Sequence, residues 1–355
     1  MSGTLQFVMF FFGGLVLASI INFLLLRFLK TLGTKNEGSE VLVRWSEQTK
    51  PAIGGISFFM VFIVSLAIGL ILTLNENSDV YQLLGISLAA TAAFLMGLAD
   101  DAFNTRPLLK FLVQVACGLT LWLSGIQISV SGIEIIDLGL TLFWVVGLMN
   151  SINMLDNMDG ITTVVSIFIV LFFLLVLAAG AGEGVMLYLF TGLLAALAGF
   201  LMFNWHPSRM FMGDSGSQFL GLLLSAGGIM YGWNPPFIEG HVSFSFLMPL
   251  LIFLLPLSDT LTVTINRLMH GRSPFVGGRD HTTHHLSYLG MSEQYVAIFF
   301  SFLSMINITL ACLVTFGIVP VDNLTILLIS AYILFVFLAL FLITRRNLKR
   351  RKFNY

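Results

Sequence analysis

Long apolar stretches separated by short polar ones dominate the chain. Eleven of them approach or reach the roughly 20 residues that a bilayer-crossing helix needs: 5–29, 53–74, 82–99, 108–124, 139–152, 161–181, 185–203, 217–232, 244–264, 294–316 and 324–343, the fifth being short. Backbone groups in lipid must find partners within their own segment, so the pattern predicts an all-α polytopic membrane protein of about eleven transmembrane helices. No repeat, low-complexity tract or long linker divides it, and residues 1–355 are read as a single integral-membrane domain. The first run is too long for a signal-peptide core and has no basic segment before it, so it is read as the first span. One interruption differs from the rest. The alternating stretch Ile126 to Ile136, with Ser131-Gly132 at its middle, predicts a small outer β-hairpin near 126–137.

Composition narrows the class. Hydrophobic residues make up 57% and charged residues 10%, against roughly 25% charged in soluble domains. This excludes a cytosolic globular enzyme, a disordered regulator and a disulfide scaffold. The net charge of −1 lacks the basic surplus of a nucleic-acid binder, so no nucleic-acid partner is expected. Cys117 and Cys312 sit in apolar runs with no metal-ligand spacing and are read as packing residues. The charges are sorted by side. All 17 lysines and arginines fall in alternate loops or the C-terminal tail, from Arg27, Lys35 and Arg44 to the run Arg345–Lys352. The opposite loops carry Glu76, Asp79, Glu134, Asp137, Glu183, Glu239 and Asp322 and no basic residue. The positive-inside rule then puts the N-terminus outside and the C-terminus in the cytoplasm.

The chemistry-bearing residues gather in the basic loops. Asp100 and Asp101 adjoin at a helix C-terminus, where carboxylates oppose the macrodipole, so capping explains them poorly and function explains them better. Asn153, Asp156 and Asp159 recur at i, i+3, i+6, which on a continuing helix lines three oxygen-bearing side chains along one face, and Gly160 allows a turn. Against this stands the plain polar loop with helix caps. Gly213-Asp214-Ser215-Gly216-Ser217 opens an apolar helix; amides there suit an anion, and a carboxylate suits a hard cation. Ser215 or Ser217 as a simple N-cap is the alternative, and Phe211 is either a packing residue or a base-stacking one. His281, His284 and His285, beside Arg279, suit phosphate contacts better than zinc, since no cysteine lies near. His206 and His270 are read as lone interfacial residues. Asp259, inside the ninth span, is expected to have a buried partner; its helix runs on to Arg267. Hard-oxygen ligands with phosphate donors on one membrane face point to phosphoryl chemistry.

In this order the motifs resemble the polyprenyl-phosphate N-acetylhexosamine-1-phosphate transferases, closest to the WecA-like branch, with muramoyl-pentapeptide transferase as sister. The resemblance runs through Lys50-Pro51-Ala-Ile-Gly54-Gly55, Asp100-Asp101, Asn153-x-x-Asp156-x-x-Asp159-Gly160, Asn204, Phe211 to Ser217, Pro256 to Thr260 and the histidine motif. It implies transfer of sugar-1-phosphate from a UDP-N-acetylhexosamine, by default UDP-N-acetylglucosamine, to undecaprenyl phosphate, with UMP as the other product. By resemblance the catalytic set is Asp100, Asp101, Asp156 and Asp159. Asp214 and Asp101 would ligate Mg²⁺, or Mn²⁺ in its place. Lys50, Asn153, Asn204, Phe211, Arg279, His281, His284 and His285 would bind substrate. The location implied is a bacterial inner membrane with the site facing the cytoplasm and membrane lipids around it; a homodimer is left open. The family's His-x-His-His-Arg is altered, with Thr283 at the middle His and His285 at the Arg, and the first loop reads Arg44-Trp45-Ser46 in place of a basic run with a His. A secondary transporter would instead place ionisable groups near the midplane, often in repeated halves.

Overall fold

A computed structural model describes residues 3–32, 50–73, 79–180, 184–238, 242–273 and 278–351. Lys35, Arg44, Glu76, Glu183, Glu239, His241 and Lys352 lie outside these residues. The described elements are α-helices: α1 (Gly3–Leu32), α2 (Gly54–Leu72), α3 (Val80–Phe103), α4 (Pro107–Leu123), α5 (Glu134–Leu155), α6 (Ile161–Ala178), α7 (Gly184–Asn204), α8 (Gly213–Gly228), α9 (Val242–Ile252), α10 (Leu254–Met269), α11 (Thr282–Tyr288), α12 (Glu293–Thr315) and α13 (Asn323–Arg351). The protein is an all-α polytopic membrane protein, with α6 and α7 the most enclosed of its long apolar helices and α1 and α13 the least.

The expectation of eleven spans is corrected. Among the described residues eight helices are long and apolar enough to cross a membrane, or up to nine if α9 and α10 form one bent span. The predicted fourth span is the 17-residue α4, which at about 1.5 Å per residue falls short of a hydrocarbon core of about 30 Å. The predicted eighth is the 16-residue α8, which opens on Gly-Asp-Ser-Gly-Ser-Gln and passes into a π-helical turn at Ile229–Trp233. The predicted ninth is broken, its halves meeting at 83°. Pro256 has no N–H for the carbonyl of Ile252 and its ring crowds that carbonyl, so the helix cannot run straight through. The expected fifth span is longer than its apolar run, because α5 extends to 22 residues. The outside placement of the N-terminus rested on the count of eleven and loses that support.

The predicted β-hairpin near 126–137 is also absent; among the described residues the only β-type pairing is an isolated bridge between Ala52 and Phe211. Side chains take the place of a partner strand. Asp137 accepts from Val130 N at 3.3 Å and Ser131 N at 2.9 Å, Thr141 Oγ1 accepts from Ile128 N at 3.0 Å, and Asn234 accepts from Ser129 N at 3.2 Å while donating to Gln127 O at 2.7 Å. With its amides satisfied this way, the segment has no need of a ladder. Glu134 to Ile136, read as the second strand, form the first turn of α5.

Two features bring the polar helix ends together. Gly97 in α3 lies against the start of α8, where a Cβ would collide with the carbonyl of Asp214. Residues 51–55 are laced to residues 211–212: Phe211 N donates to Pro51 O at 3.0 Å, Gly54 N to Phe211 O at 3.0 Å and Gly55 N to Met212 O at 2.9 Å. The C-terminal ends of α3, α5 and α7 thus meet the N-terminal ends of α4, α6 and α8.

Candidate active site

Three groups of polar side chains line this end of the bundle. The first centres on Lys110, one turn into α4. Its Nζ lies 2.6 Å from Asp100 Oδ2 and 2.9 Å from Asp214 Oδ2. Asn153 Nδ2 donates to Asp214 Oδ1 at 2.6 Å and to Ser217 Oγ at 2.8 Å. Asp100 also accepts from Thr105 N at 3.0 Å. Desolvation by its surroundings, then the neighbouring Asp100 carboxyl, push Asp214 above the usual carboxylate range against the pull of Lys110. The two adjacent aspartates divide their work. Asp101 accepts from the N–H groups of Asp214 at 2.8 Å and Ser215 at 2.9 Å, so it caps α8 from a neighbouring helix. An acid that opposes the dipole of its own helix complements that of the next.

The second group surrounds Asp159, a residue only 6% exposed. It accepts from Ser208 N at 2.9 Å, Ser208 Oγ at 2.7 Å, and Lys50 Nζ at 3.4 Å, and lies 3.1 Å from His206 Nδ1. Burial opposes its ionisation, but the Ser208 bonds and the Lys50 charge hold it below the usual range. Lys50 also donates to Ser208 Oγ at 2.9 Å and stands 5.1 Å from the centre of the Phe211 ring. His206, read as lone, is shared with Glu293 Oε2 at 3.1 Å. Asp159, His206 and Glu293 offer ligand atoms within 4.8 Å of one another, a grouping able to hold a metal ion.

The third group is the histidine motif. Asp259, fully buried, accepts from Thr282 N at 2.8 Å and Thr282 Oγ1 at 2.6 Å and pairs with His281 Nδ1 at 2.8 Å. Its buried partner is therefore His281; Arg267 forks onto Asp280 at 2.6 and 2.7 Å. Burial works against the Asp280 carboxylate, but Arg267 keeps it below the usual range. His284 and His285 are both buried, and burial with the nearby His281 charge brings His284 down to about 3. Asn347 of α13 donates to His285 O at 3.0 Å. Arg279 is half-buried.

The segment 153–159 touches all three groups: Asn153 the first, Asp159 the second, and Asn157 the third through Thr283 Oγ1 at 2.6 Å. The expected single helical face is not present. α5 ends at Leu155, Asp156 sits half-buried at its C-cap, and Gly160 turns the chain at φ 77° into α6. Asn204 is buried as a tie: its oxygen accepts from Gly160 N at 3.1 Å and Thr163 Oγ1 at 2.9 Å, and its amide donates to Met210 O at 3.0 Å. The sequence reading did not single out Lys110, Ser208, Asn157 or Glu293. Lys110 had a usable signal, since a cation in the first turns of an apolar helix is functional by default. Ser208 and Glu293 had none.

A model of glycosyl transferase family 4 matches residues 83–232, which carry the Lys110 centre. The chain is 27% identical over 257 residues to a probable undecaprenyl-phosphate N-acetylglucosaminyl 1-phosphate transferase of Bacillus subtilis (strain 168), covering 70% of this chain and 68% of the relative. It is 27% identical over 276 residues to a decaprenyl-phosphate N-acetylglucosaminephosphotransferase of Mycolicibacterium smegmatis, covering 70% and 67%. It is 28% identical over 245 residues to a phospho-N-acetylmuramoyl-pentapeptide-transferase of Streptococcus agalactiae, covering 64% and 71%. The family match runs from α3 to the end of α8 and so includes the helices that meet around Lys110, and the chain is similar both to undecaprenyl-phosphate sugar-1-phosphate transferases and to muramoyl-pentapeptide transferases.

Proposed function

We propose that this protein moves N-acetylglucosamine-1-phosphate from its UDP-sugar to undecaprenyl phosphate on the cytoplasmic face of a bacterial inner membrane, in the assembly of a cell-envelope glycan. The observation that carries the reading is the Lys110 ammonium bridging Asp100 and Asp214 at the end of a membrane bundle. A soluble diphosphate and a lipid phosphate meet only at such a place. An oxygen of the lipid phosphate attacks the sugar-bearing β-phosphorus. The bond from that phosphorus to the oxygen bridging the two phosphates breaks, and the bridging oxygen leaves with UMP. The lipid phosphate is already ionised near neutral pH, so no strong base is needed, and positioning with charge neutralisation carries the rate.

The residues take roles accordingly. Lys110 neutralises charge on the diphosphate. Asp101 fixes the start of α8, and with it Asp214. Lys50 and Phe211, backed by Asp159 and Ser208, form the nucleotide side. His281, oriented by Asp259 through Nδ1, presents Nε2; with His284 and Arg279 it faces the sugar phosphate. The Asp100 and Asp214 carboxylate oxygens converge on a point that already holds a positive charge, which fits Mg²⁺ or Mn²⁺, with Asn153 holding Asp214 in place through its amide N–H. Such an ion supplies further charge neutralisation to the diphosphate when bound. Asp159 is less suited, because four contacts from Ser208, His206 and Lys50 already occupy its two oxygens. The basic residues Arg267, in the last turn of α10, and Arg272 and Arg279 beyond it favour the cytoplasmic side for the site.

The test is transfer itself. Purified protein in lipid nanodiscs with undecaprenyl phosphate, Mg²⁺ and radiolabelled UDP-N-acetylglucosamine is expected to yield lipid-soluble label and UMP. A panel including UDP-N-acetylgalactosamine and UDP-N-acetylmuramoyl-pentapeptide fixes the sugar. No transfer from any of them by folded protein overturns the reading.

A further inference from the structure

Beneath the Lys110 centre lies a second polar layer made only of amides. Gln114 in α4 is 1% exposed and is its hub. Its Nε2 donates to Gln218 Oε1 of α8 at 3.0 Å and to Asn150 Oδ1 of α5 at 3.3 Å. Its Oε1 accepts from Asn150 Nδ2 at 2.9 Å, and that nitrogen also donates to Val146 O at 2.8 Å. Gln218 is 1% exposed, and its Nε2 has no acceptor among the described residues.

The register of these residues is informative. Gln114 follows Lys110 by four positions, Gln218 follows Asp214 by four, and Asn150 precedes Asn153 by three. Each amide therefore sits one helical turn, about 5–6 Å, further into the bundle than a residue of the Lys110 centre, on the same face of the same helix. The three helices that supply Lys110, Asn153 and Asp214 are tied to one another directly below those residues. Amides suit this place. Each has both donor and acceptor groups, so one side chain can join two neighbours, and being neutral they leave the charge balance above them unchanged. A leftover buried N–H is costly in an apolar setting, and packing alone would not select it.

We propose that Gln114 and Gln218, with Asn150, are positioning residues that set the separation of Lys110, Asn153 and Asp214 and so tune both cation affinity and turnover at that centre. The proposal rests on the transferase reading for its kinetic consequence but not for its cation-binding one.

The experiment compares wild type with Gln114→Met, Gln218→Met, the double methionine variant and Gln218→Glu, reading Mn²⁺ affinity by electron paramagnetic resonance without substrate, kcat and KM with UDP-N-acetylglucosamine, and the thermal midpoint in detergent. Each methionine variant keeps side-chain volume. Each is expected to weaken Mn²⁺ binding and to lower kcat by about 10- to 100-fold with little change in KM, the scale set by small misplacements of reacting groups. The double variant should be no worse than the poorer single one, because both remove one shared contact. Gln218→Glu keeps an oxygen for Gln114 and is expected to recover most of the loss. If Gln114→Met, which leaves both Gln218 and Asn150 without their mate, does not fold, Gln218→Met, which keeps the Gln114–Asn150 pair, gives the same readout. Wild-type Mn²⁺ affinity in the methionine variants overturns the proposal, as does a kcat loss that vanishes well below a lowered thermal midpoint. Weakened Mn²⁺ binding in a protein that transfers no sugar phosphate upholds the network and overturns the transferase reading instead.

Discussion

Two lysine–carboxylate centres lie side by side in this protein and are built differently. Around Lys50, the Asp159 side chain keeps 7% exposure and its oxygens are taken by Ser208, His206 and Lys50. Around Lys110, the Asp214 side chain keeps 30% exposure and meets a single amide and a single ammonium. The first centre is closed: its hydrogen bonds hold the 204–211 turn against the start of α6. The second is open at Asp214 alone, since Asp100 keeps 9% exposure and accepts from Thr105, and its two carboxylates converge on one cation. Three of the four contacts on Asp159 fall on Oδ2, so that oxygen has little left for a ligand. The same residue type is therefore tied down by neighbouring donors in one place and left partly open in the other.

Substitutions can break this contrast. The largest effect is expected from Asp214→Asn, which should lower kcat by about 10³-fold, the scale of losing one group in a preorganised electrostatic site, and weaken Mg²⁺ dependence. Near-normal turnover would move the chemistry elsewhere. Lys110→Met should cost about 10²-fold in kcat, whereas Lys50→Met should act mainly on KM for the UDP-sugar and on stability; equal kcat losses from the two would erase the distinction.

Asp159→Asn should destabilise the protein by about 1–3 kcal/mol, read by SDS-titrated unfolding in mixed micelles. The sign of its pH dependence follows from the lowered pKa of Asp159. A depressed carboxylate pKa contributes stability that is present above the unfolded value of about 3.9 and lost as pH falls through the folded one. The gap between variant and wild type should be full at pH 7 and close in strong acid. A gap that widens toward acid would mean that Asp159 is protonated in the folded protein. The smallest effect is expected for His206→Ala. Its side chain and that of Glu293 keep 33% and 34% exposure, so their pairing should contribute less than about 1 kcal/mol. A larger loss would make this turn as much a part of the closed centre as Ser208.

Much of this site is legible in the chain before folding. Asp100, Asn153 and Asp214 stand out as oxygen-bearing side chains at the ends of apolar runs; Asp100 and Asp214 meet at Lys110, and Asn153 joins them by donating to Asp214. Other residues carry an equal signal but make their contacts elsewhere. Asp101 is as conspicuous as Asp100 in sequence, yet its oxygens go to the amides of α8, a helix more than a hundred residues later. Asn204 is as polar as Asn153 but is spent on backbone ties. Periodicity misleads at 153–159, since the spacing assumes a helix that stops at Leu155. It misleads again at 126–137, where alternation says nothing about whether a partner strand exists; Asp137, Thr141 and Asn234 satisfy that backbone instead.

By itself the sequence determined the solvent, the helical class and the loops in which polar side chains gather. These follow from local quantities: apolar run length, backbone self-sufficiency in lipid and the distribution of charge. Only the tertiary structure decided which helices are long enough to cross, that α9 and α10 bend at 83°, and which carboxylate faces a lysine, a serine or another helix's amides. Those outcomes depend on what lies opposite a residue in space. A hydrogen bond between Asn153 and Asp214 spans 61 positions of chain and exists only once α5 and α8 are packed.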